Sequence, residues 1–305
     1  MKIVISEFMD EAALEGVAAD LLYDPTLVDA RPRLLAEVAG ADALIVRNRT
    51  QVDRELLDAA PALRAVGRLG VGLDNIDLEE CERRGVSVHP ATGANTASVA
   101  EYVIAAALLL VRGAFFSNPA MLAGEWPRGR LGQGGEVGGR VMGLVGYGGI
   151  GRAVGARARA LCMDVAAHDP QLPPDDPAWR EAERMDLPTL LERADVVSLH
   201  VPLLPATRHL IDAAALARMK PTAVLINTAR GGVVDEAALT AALREGRLRG
   251  AALDVFEDEP LTAEATRRFE GVPNLVLTPH VAGVTAEANV RVSRLTIGNV
   301  LGALG

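Results

Sequence analysis

The stretch VMGLVGYGGIGRAV, Val141 to Val154, reads as a buried strand, a glycine turn and the opening of a helix. Gly146, Gly148 and Gly151 fit the spacing G-x-G-x-x-G, with Gly149 and Ile150 between them. At that spacing the first glycine permits a tight turn and the second lets backbone approach a pyrophosphate. The third lets helix and strand pack closely, and the helix N-terminus adds N–H donors and a positive dipole end. The motif alone is weak, but its context is not. RVMGLV precedes it as a strand, GRAVGARARAL follows as a helix, and Asp169 closes the next strand, DVAAHDP. A carboxylate there suits ribose hydroxyls and repels a 2′-phosphate, so the expected cofactor is NAD rather than NADP.

Outward from this turn, short apolar runs alternate with helical patterns. On the N-terminal side KIVISEF, ADALIVRN, LRAVGRLG and VSVHPA read as strands, separated by helix-like RPRLLAEVAG, DRELLDAA and IDLEECERRG. On the C-terminal side ADVVSLHVP, TAVLINTAR, RGAALDVF and NLVLTPH repeat the rhythm. Strands so continuously apolar belong to parallel sheets covered by helices on both faces. The fold class expected is α/β, as two units in series with a boundary near residues 93–98. A long helix spans that boundary region, with Ser98-x-x-Glu101 as its expected capping box. A Gly-rich passage follows, GEWPRGRLGQGGEVGGR. The last helix, in VTAEANVRVSRLTIGNVLGALG, is too short to be a domain and must pack on one of the two units.

Half of the 305 residues are hydrophobic and only 3% aromatic, so the core must be built from Ala, Val and Leu. The formal charge of −9 argues against nucleic acid or an anionic membrane as partner. It leaves room for a small anionic substrate held by a local arginine cluster. Cys81 and Cys162 lack metal or CxxC spacing and read as reduced, buried or half-buried thiols, so neither a disulfide nor a metal site is expected. The acidic turn after MKIVIS is no signal peptide, and the apolar run Tyr102–Val111 is too short to span a bilayer. A soluble, cytoplasmic protein is expected.

Arg230, Glu259 and His280 end or follow the strands TAVLINTAR, RGAALDVF and NLVLTPH. Taken singly, each has an ordinary structural reading. Together, past the strand ends of a parallel sheet where ligands bind, they make a candidate catalytic set.

Seven segments in order, GRLGVGLDNID, NTASVAEYVI, GLVGYGGIGRAV, LHVPLLPATRHLI, INTARGGVVDEAAL, GAALDVFEDEP and LTPHVAG, resemble the D-isomer-specific 2-hydroxyacid dehydrogenase family. The likeness is to its phosphoglycerate-dehydrogenase-like branch. The resemblance implies two Rossmann- or flavodoxin-like domains, with the NAD-binding domain, 95–283, inserted into a substrate domain, 1–94 and 284–305. The glycine turn would lie mid-chain because its domain is an insert.

The resemblance also implies roles. His280 would be the general base for the hydroxyl proton, Glu259 would orient it, and Arg230 would clamp the substrate carboxylate. Asp254 would hold the nicotinamide carboxamide. Asn95, Thr96, the run His200, Val201 and Pro202, Thr207, Thr228, Ala229 and Gly283 would line the cofactor, and the backbone of Val71 and Gly72 would hold substrate.

Arg47 and Arg68 match positions that the phosphoglycerate branch uses near the phosphate, and Arg49 is additional. Such a cluster suits a dianionic acid. The pattern ISEFMDEAAL…YDP…ALIVRNRTQV also resembles sulfolactate dehydrogenases. With the chain ending at Gly305, no regulatory domain is expected. The alternative of another class is an NAD(H)-sensing binding protein of the corepressor type, against which the lack of a disordered tail argues. Formate dehydrogenase chemistry is disfavoured because position 259 is a carboxylate. Family analogy and the apolar helix at Tyr102–Val111 lead to a homodimer as the expected assembly.

Overall fold

The computed structural model describes all residues from Met1 to Gly305. The chain divides into two compact units, Met1–Asn95 with Val284–Gly305, and Thr96–Gly283.

The first unit is built on five parallel strands, β1 (Lys2–Ile5), β2 (Asp20–Tyr23), β3 (Ala43–Val46), β4 (Ala65–Arg68) and β5 (Ser87–Pro90), in the order β2-β1-β3-β4-β5. Every β3 residue is buried, as a central strand covered on both faces must be. Leu34, Val38, Leu56, Leu57 and Cys81 of three short helices pack with Leu44, Val46 and Val66. Val292, Ile297, Val300 and Leu304 of the terminal helix Ala286–Leu304 pack with Ile3, Ile5 and Ile45. The last helix thus belongs to the first sheet.

The second unit carries seven parallel strands: β6 (Val141–Val145), β7 (Asp164–His168), β8 (Glu183–Arg184), β9 (Val196–Leu199), β10 (Val224–Asn227), β11 (Gly250–Leu253) and β12 (Leu275–Leu277). Their order is β12-β11-β10-β9-β6-β7-β8. The direction of succession reverses between β6 and β9. That is the topological switch point, where an open α/β sheet leaves a crevice beyond its strand ends. Helices Thr96–Arg112 and Gly149–Ala160 form one core with this sheet, through Val103, Ala107, Leu110, Val154 and Ala158. Leu190, Leu191, Leu216, Leu239 and Leu243 of three other helices form the second core. Removing the fully buried Leu110 side chain beyond Cβ would cost about 2–5 kcal/mol. Asp53, Asp77, Asp186, Asp212 and Asp235 each cap a helix through an N–H of its first turn, at 2.8–3.0 Å, worth about 1 kcal/mol apiece.

Three sequence readings are corrected. Ser98 does not cap the long helix, which already begins at Thr96, so Ser98 lies buried inside its first turn. Cys162 is exposed, in a left-handed turn after helix Gly149–Ala160, whereas Cys81 is buried; both are free thiols. The Gly-rich passage, aperiodic in the sequence, holds one short helix, Arg128–Leu131, and another, Asn118–Leu122, precedes it. No helix is long and apolar enough to cross a membrane, and no cluster of three His, Cys, Asp or Glu side chains could hold a metal ion.

Candidate active site

At the switch point, Gly146 has φ +93°, and a Cβ there would stand 2.5 Å from the carbonyl oxygen of His200, just past β9. A Cβ on Gly151 would stand 2.4 Å from the carbonyl oxygen of Gly146. Both positions therefore exclude side chains, and the turn closes tightly against the neighbouring strand end. At Gly148 and Gly149 a Cβ would meet nothing within 4 Å, so this part of the turn faces open space. Gly148 is the N-cap of the twelve-residue helix Gly149–Ala160 and supplies no side-chain acceptor, which leaves first-turn N–H groups for a ligand. Asp169 stands beside them, one oxygen accepting the Tyr147 N–H at 2.8 Å and the other the Gln171 N–H at 3.0 Å. A glycine cradle, free N–H donors and an adjacent carboxylate fit a dinucleotide.

The loop after β9 is folded on itself. Thr207 Oγ1 donates to the Pro202 carbonyl at 2.6 Å and accepts from the Leu204 N–H at 2.8 Å, closing a turn that begins at Val201. His200 Nε2 lies 3.1 Å from Ser198 Oγ, and burial pushes the imidazole down to about 4. At the end of β10, Asn227 accepts the Ala229 N–H at 3.0 Å and donates to the Arg230 carbonyl at 2.8 Å, so one side chain shapes the turn that carries Arg230. Thr228 Oγ1 is buried with no hydrogen-bond partner. A buried hydroxyl left over in this way is available to a polar ligand, and it lies two residues before Arg230 in the chain.

Arg230, Glu259 and His280 follow three adjacent parallel strands, β10, β11 and β12, at their C-terminal ends. Glu259 Oε2 lies 2.7 Å from His280 Nδ1, and Oε1 accepts the Phe256 N–H at 2.9 Å. Burial pushes the Glu259 carboxyl up. The His280 and Phe256 hydrogen bonds and the His280 and Arg230 charges outweigh it, and the group lies below its ordinary value. A carboxylate only accepts, so Nδ1 carries the proton and Nε2 is left as an acceptor. An imidazole so oriented by a carboxylate can accept a proton at Nε2, the chemistry a general base needs.

Asp254, which directly follows β11, is buried and holds the turn Thr278–Ala282 by its side chain; Gly283 follows that turn. Thr96 opens the long helix.

In the first unit, Glu7 follows β1 and is only 5% exposed. Its carboxylate accepts the N–H groups of Arg47, Arg49 and Thr50 at 2.8, 3.2 and 2.9 Å. Asn75 Nδ2 donates to the carbonyls of Arg47 and Thr50. The loop after β3 is thereby fixed. The Arg47 side chain is half-buried, and its guanidinium touches two neutral groups, the Asn289 amide oxygen at 3.3 Å and the Phe8 ring at 5.8 Å. Burial pushes its guanidinium below the usual arginine value, opposed by the Glu7 charge. Arg49 instead pairs with Asp29 on the surface. Arg68 ends β4 and donates through Nη1 to the Leu69 carbonyl at 3.0 Å, folding across Gly70, whose φ is +143°. Val71 is exposed and Gly72 half-buried in the loop beyond.

Glu7, Asn75 and Asn289 escaped the sequence reading, as did Tyr102 and Thr278, which hydrogen-bond each other at 2.6 Å. Only Thr278 left a signal, as a polar residue closing the apolar strand before His280.

The profile described as "D-isomer specific 2-hydroxyacid dehydrogenase, NAD binding domain" matches residues 104–282. The chain is 59% identical to an (S)-sulfolactate dehydrogenase of Chromohalobacter salexigens, over 99% of this chain and 98% of that protein. It is 44% identical to a D-3-phosphoglycerate dehydrogenase of Mycobacterium leprae over 86% of its length, and the match spans 49% of that longer protein. A crystal structure of a Thermus thermophilus protein superposes with a TM-score of 0.88 at 34% identity, covering 100% of this chain and 97% of that one. The chain belongs to the D-isomer specific 2-hydroxyacid dehydrogenase family. It is an NAD-dependent oxidoreductase that interconverts a small anionic 2-hydroxy acid and its 2-oxo acid. None of these likenesses favours a dinucleotide-sensing corepressor.

Proposed function

We propose that the substrate is a three-carbon 2-hydroxy acid with a second strong anion on C3, sulfolactate in first place and 3-phosphoglycerate in second. The observation that carries this is Arg47, a half-buried cation whose guanidinium touches the neutral Asn289 amide and the Phe8 ring, while the nearby Glu7 carboxylate is taken up by the N–H groups of its loop. A desolvated guanidinium gains most from an anionic partner, and its planar fork suits a three-oxygen group. The sulfolactate dehydrogenase likeness over almost the whole chain points the same way.

In this reading residues 1–94 and 284–305 form the substrate domain and 95–283 the NAD-binding domain. Arg47 and Arg68 take the C3 anion, and the N–H groups of Val71 and Gly72 with Arg230 take the C1 carboxylate. Arg49, on the same loop, would join them by leaving its ion pair with Asp29. Bound NAD supplies the hydride acceptor. The glycine turn Gly146–Gly151 would hold its pyrophosphate and Asp169 its ribose hydroxyls. His200, Val201, Pro202, Thr207, Thr228, Ala229, Thr96 and Gly283 would line its path, and Asp254 would meet the carboxamide. His280 Nε2 takes the C2 hydroxyl proton during oxidation and returns it during reduction. Glu259 offsets the charge that His280 gains, and Arg230 polarises the C2 oxygen.

The protein works in the cytoplasm as a homodimer. Phe115, Leu122 and Trp126 are 65%, 89% and 75% exposed beyond the long apolar helix, an unusual apolar surface for a monomer. Sedimentation at twice 32.0 kDa is expected, and a single-chain mass overturns the dimer. Cell fractionation should place the protein with cytoplasmic markers.

The test of substrate is NADH formation from 3-phosphoglycerate, both sulfolactate enantiomers, D-lactate and D-glycerate, by wild type and Arg47→Ala. Turnover of one dianionic acid, lost in the variant with NAD binding intact, supports the reading. Preference for lactate or glycerate contradicts it.

A further inference from the structure

Asp254 is 1% exposed, yet its carboxylate is almost fully engaged. Oδ1 accepts from the Thr278 hydroxyl at 2.6 Å and the Val281 N–H at 2.9 Å; Oδ2 accepts from the Ala282 N–H at 2.8 Å. The Asp254 carbonyl oxygen accepts the His280 N–H at 2.8 Å. One residue thus gathers four donors from the five residues Thr278–Ala282. At the centre of that turn His280 has φ +55°, a left-handed conformation uncommon for a residue that carries a side chain.

The direction of the next bond follows from chemistry. Thr278 has a single hydroxyl hydrogen, and the carboxylate has none to give, so that hydrogen goes to Asp254. The Tyr102 oxygen, 2.6 Å from Thr278 Oγ1, must therefore supply its own O–H as donor. Burial, opposed by the Thr278 bond and aided by the Asp254 charge, raises the Tyr102 phenol above its ordinary value, so its proton stays in place at working pH. Two bonds then run in one direction, from Tyr102 on helix Thr96–Arg112 through Thr278 to Asp254. Oδ1 is saturated by two donors, and the carboxylate is held in the rotamer that receives Val281 and Ala282.

We propose that Tyr102 and Thr278 are positioning residues for catalysis: their relay fixes Asp254, and through it the left-handed turn that presents His280 to Glu259. The inference rests on the reading of His280 as the proton carrier. With the relay broken, Asp254 can turn away, the Val281 and Ala282 amides lose their acceptor, and His280 Nδ1 drifts from Glu259. Misplacement on the ångström scale in a reacting group lowers turnover by about 100-fold.

The test compares Thr278→Val, Thr278→Ser and Tyr102→Phe in the full-length enzyme, with His280→Ala as control. Thr278→Val keeps the shape of threonine and removes the hydroxyl. It should lower kcat about 10- to 100-fold, with a much smaller change in KM and with faster hydrogen exchange at Val281 and Ala282 in the cofactor-free protein. Thr278→Ser should restore both. Tyr102→Phe, which carries the test should Thr278→Val not fold, should give a smaller loss of the same kind. Wild-type kcat and exchange in Thr278→Val or, failing that, in Tyr102→Phe would overturn the proposal, as would Thr278→Ser as slow as Thr278→Val. Activity retained in His280→Ala would instead overturn the assignment of His280, leaving the exchange result to judge the relay.

Discussion

His280 Nδ1 and Glu259 Oε2 lie 2.7 Å apart, although 21 residues separate them in the chain. They meet because β11 and β12 are adjacent and parallel, so the loops that leave them emerge at the same sheet edge. The geometry orients the imidazole with one nitrogen committed and the other ready to accept.

Glu259→Gln should test that orientation. Glutamine preserves the shape but cannot neutralise a charged imidazole, so kcat/KM for oxidation should fall about 100-fold. The Glu259 carboxyl lies below its ordinary value. A group depressed on folding stabilises above its unfolded value and loses that contribution as pH falls through the folded one. Steady-state rates across pH should therefore show no loss from Glu259 at neutral pH, and the variant should differ from wild type throughout the neutral range.

His200 predicts an acid-side instability. Burial holds it at about 4, against an ordinary value of 6.5. Between these values the unfolded chain binds a proton that the folded chain refuses, so folding stability drops as pH falls from 6.5 towards about 4. His200→Asn should flatten that part of the curve. Thermal unfolding of both proteins across this window checks it, and parallel curves would contradict the burial argument.

Asp169→Ser should weaken NAD binding and relax discrimination against NADP by about 10- to 100-fold, the worth of a charge-assisted hydrogen bond and of a removed repulsion. Titration with both cofactors measures it. An unchanged ratio would mean that the carboxylate serves only the Tyr147 and Gln171 amides.

Glu7→Ala should both destabilise the first unit and impair substrate recognition. The change leaves three loop N–H groups without their acceptor, a loss of about 3 kcal/mol or more. Denaturant melts and KM for the acid should shift together. NAD affinity should stay unchanged.

Much of this was legible in the chain. Strands such as Val196–Leu199 and Val224–Asn227 are buried on both faces, and complete burial writes itself as an unbroken apolar run. Asp20–Tyr23 and Glu183–Arg184 do not read as strands: the first opens on an exposed acid and is only partly buried, and the second is two exposed charged residues. The glycine turn and the Arg230, Glu259 and His280 set showed because strand ends are where a parallel sheet puts its chemistry. The Arg47–Asn289 contact spans 242 positions and Tyr102–Thr278 spans 176, with no local spacing to betray either. The Ser98 cap fails although its spacing is right, because the helix already begins two residues earlier, at Thr96.

The most direct test of the central claim, hydride transfer with His280 as proton carrier, is single-turnover reduction of NAD by wild type and His280→Ala with the preferred hydroxy acid. The expected result is turnover in wild type and a loss of about 100- to 10,000-fold in the variant, with NAD still bound. NADH formation at the wild-type rate in His280→Ala, or none in wild type with NAD tightly bound, would contradict the account.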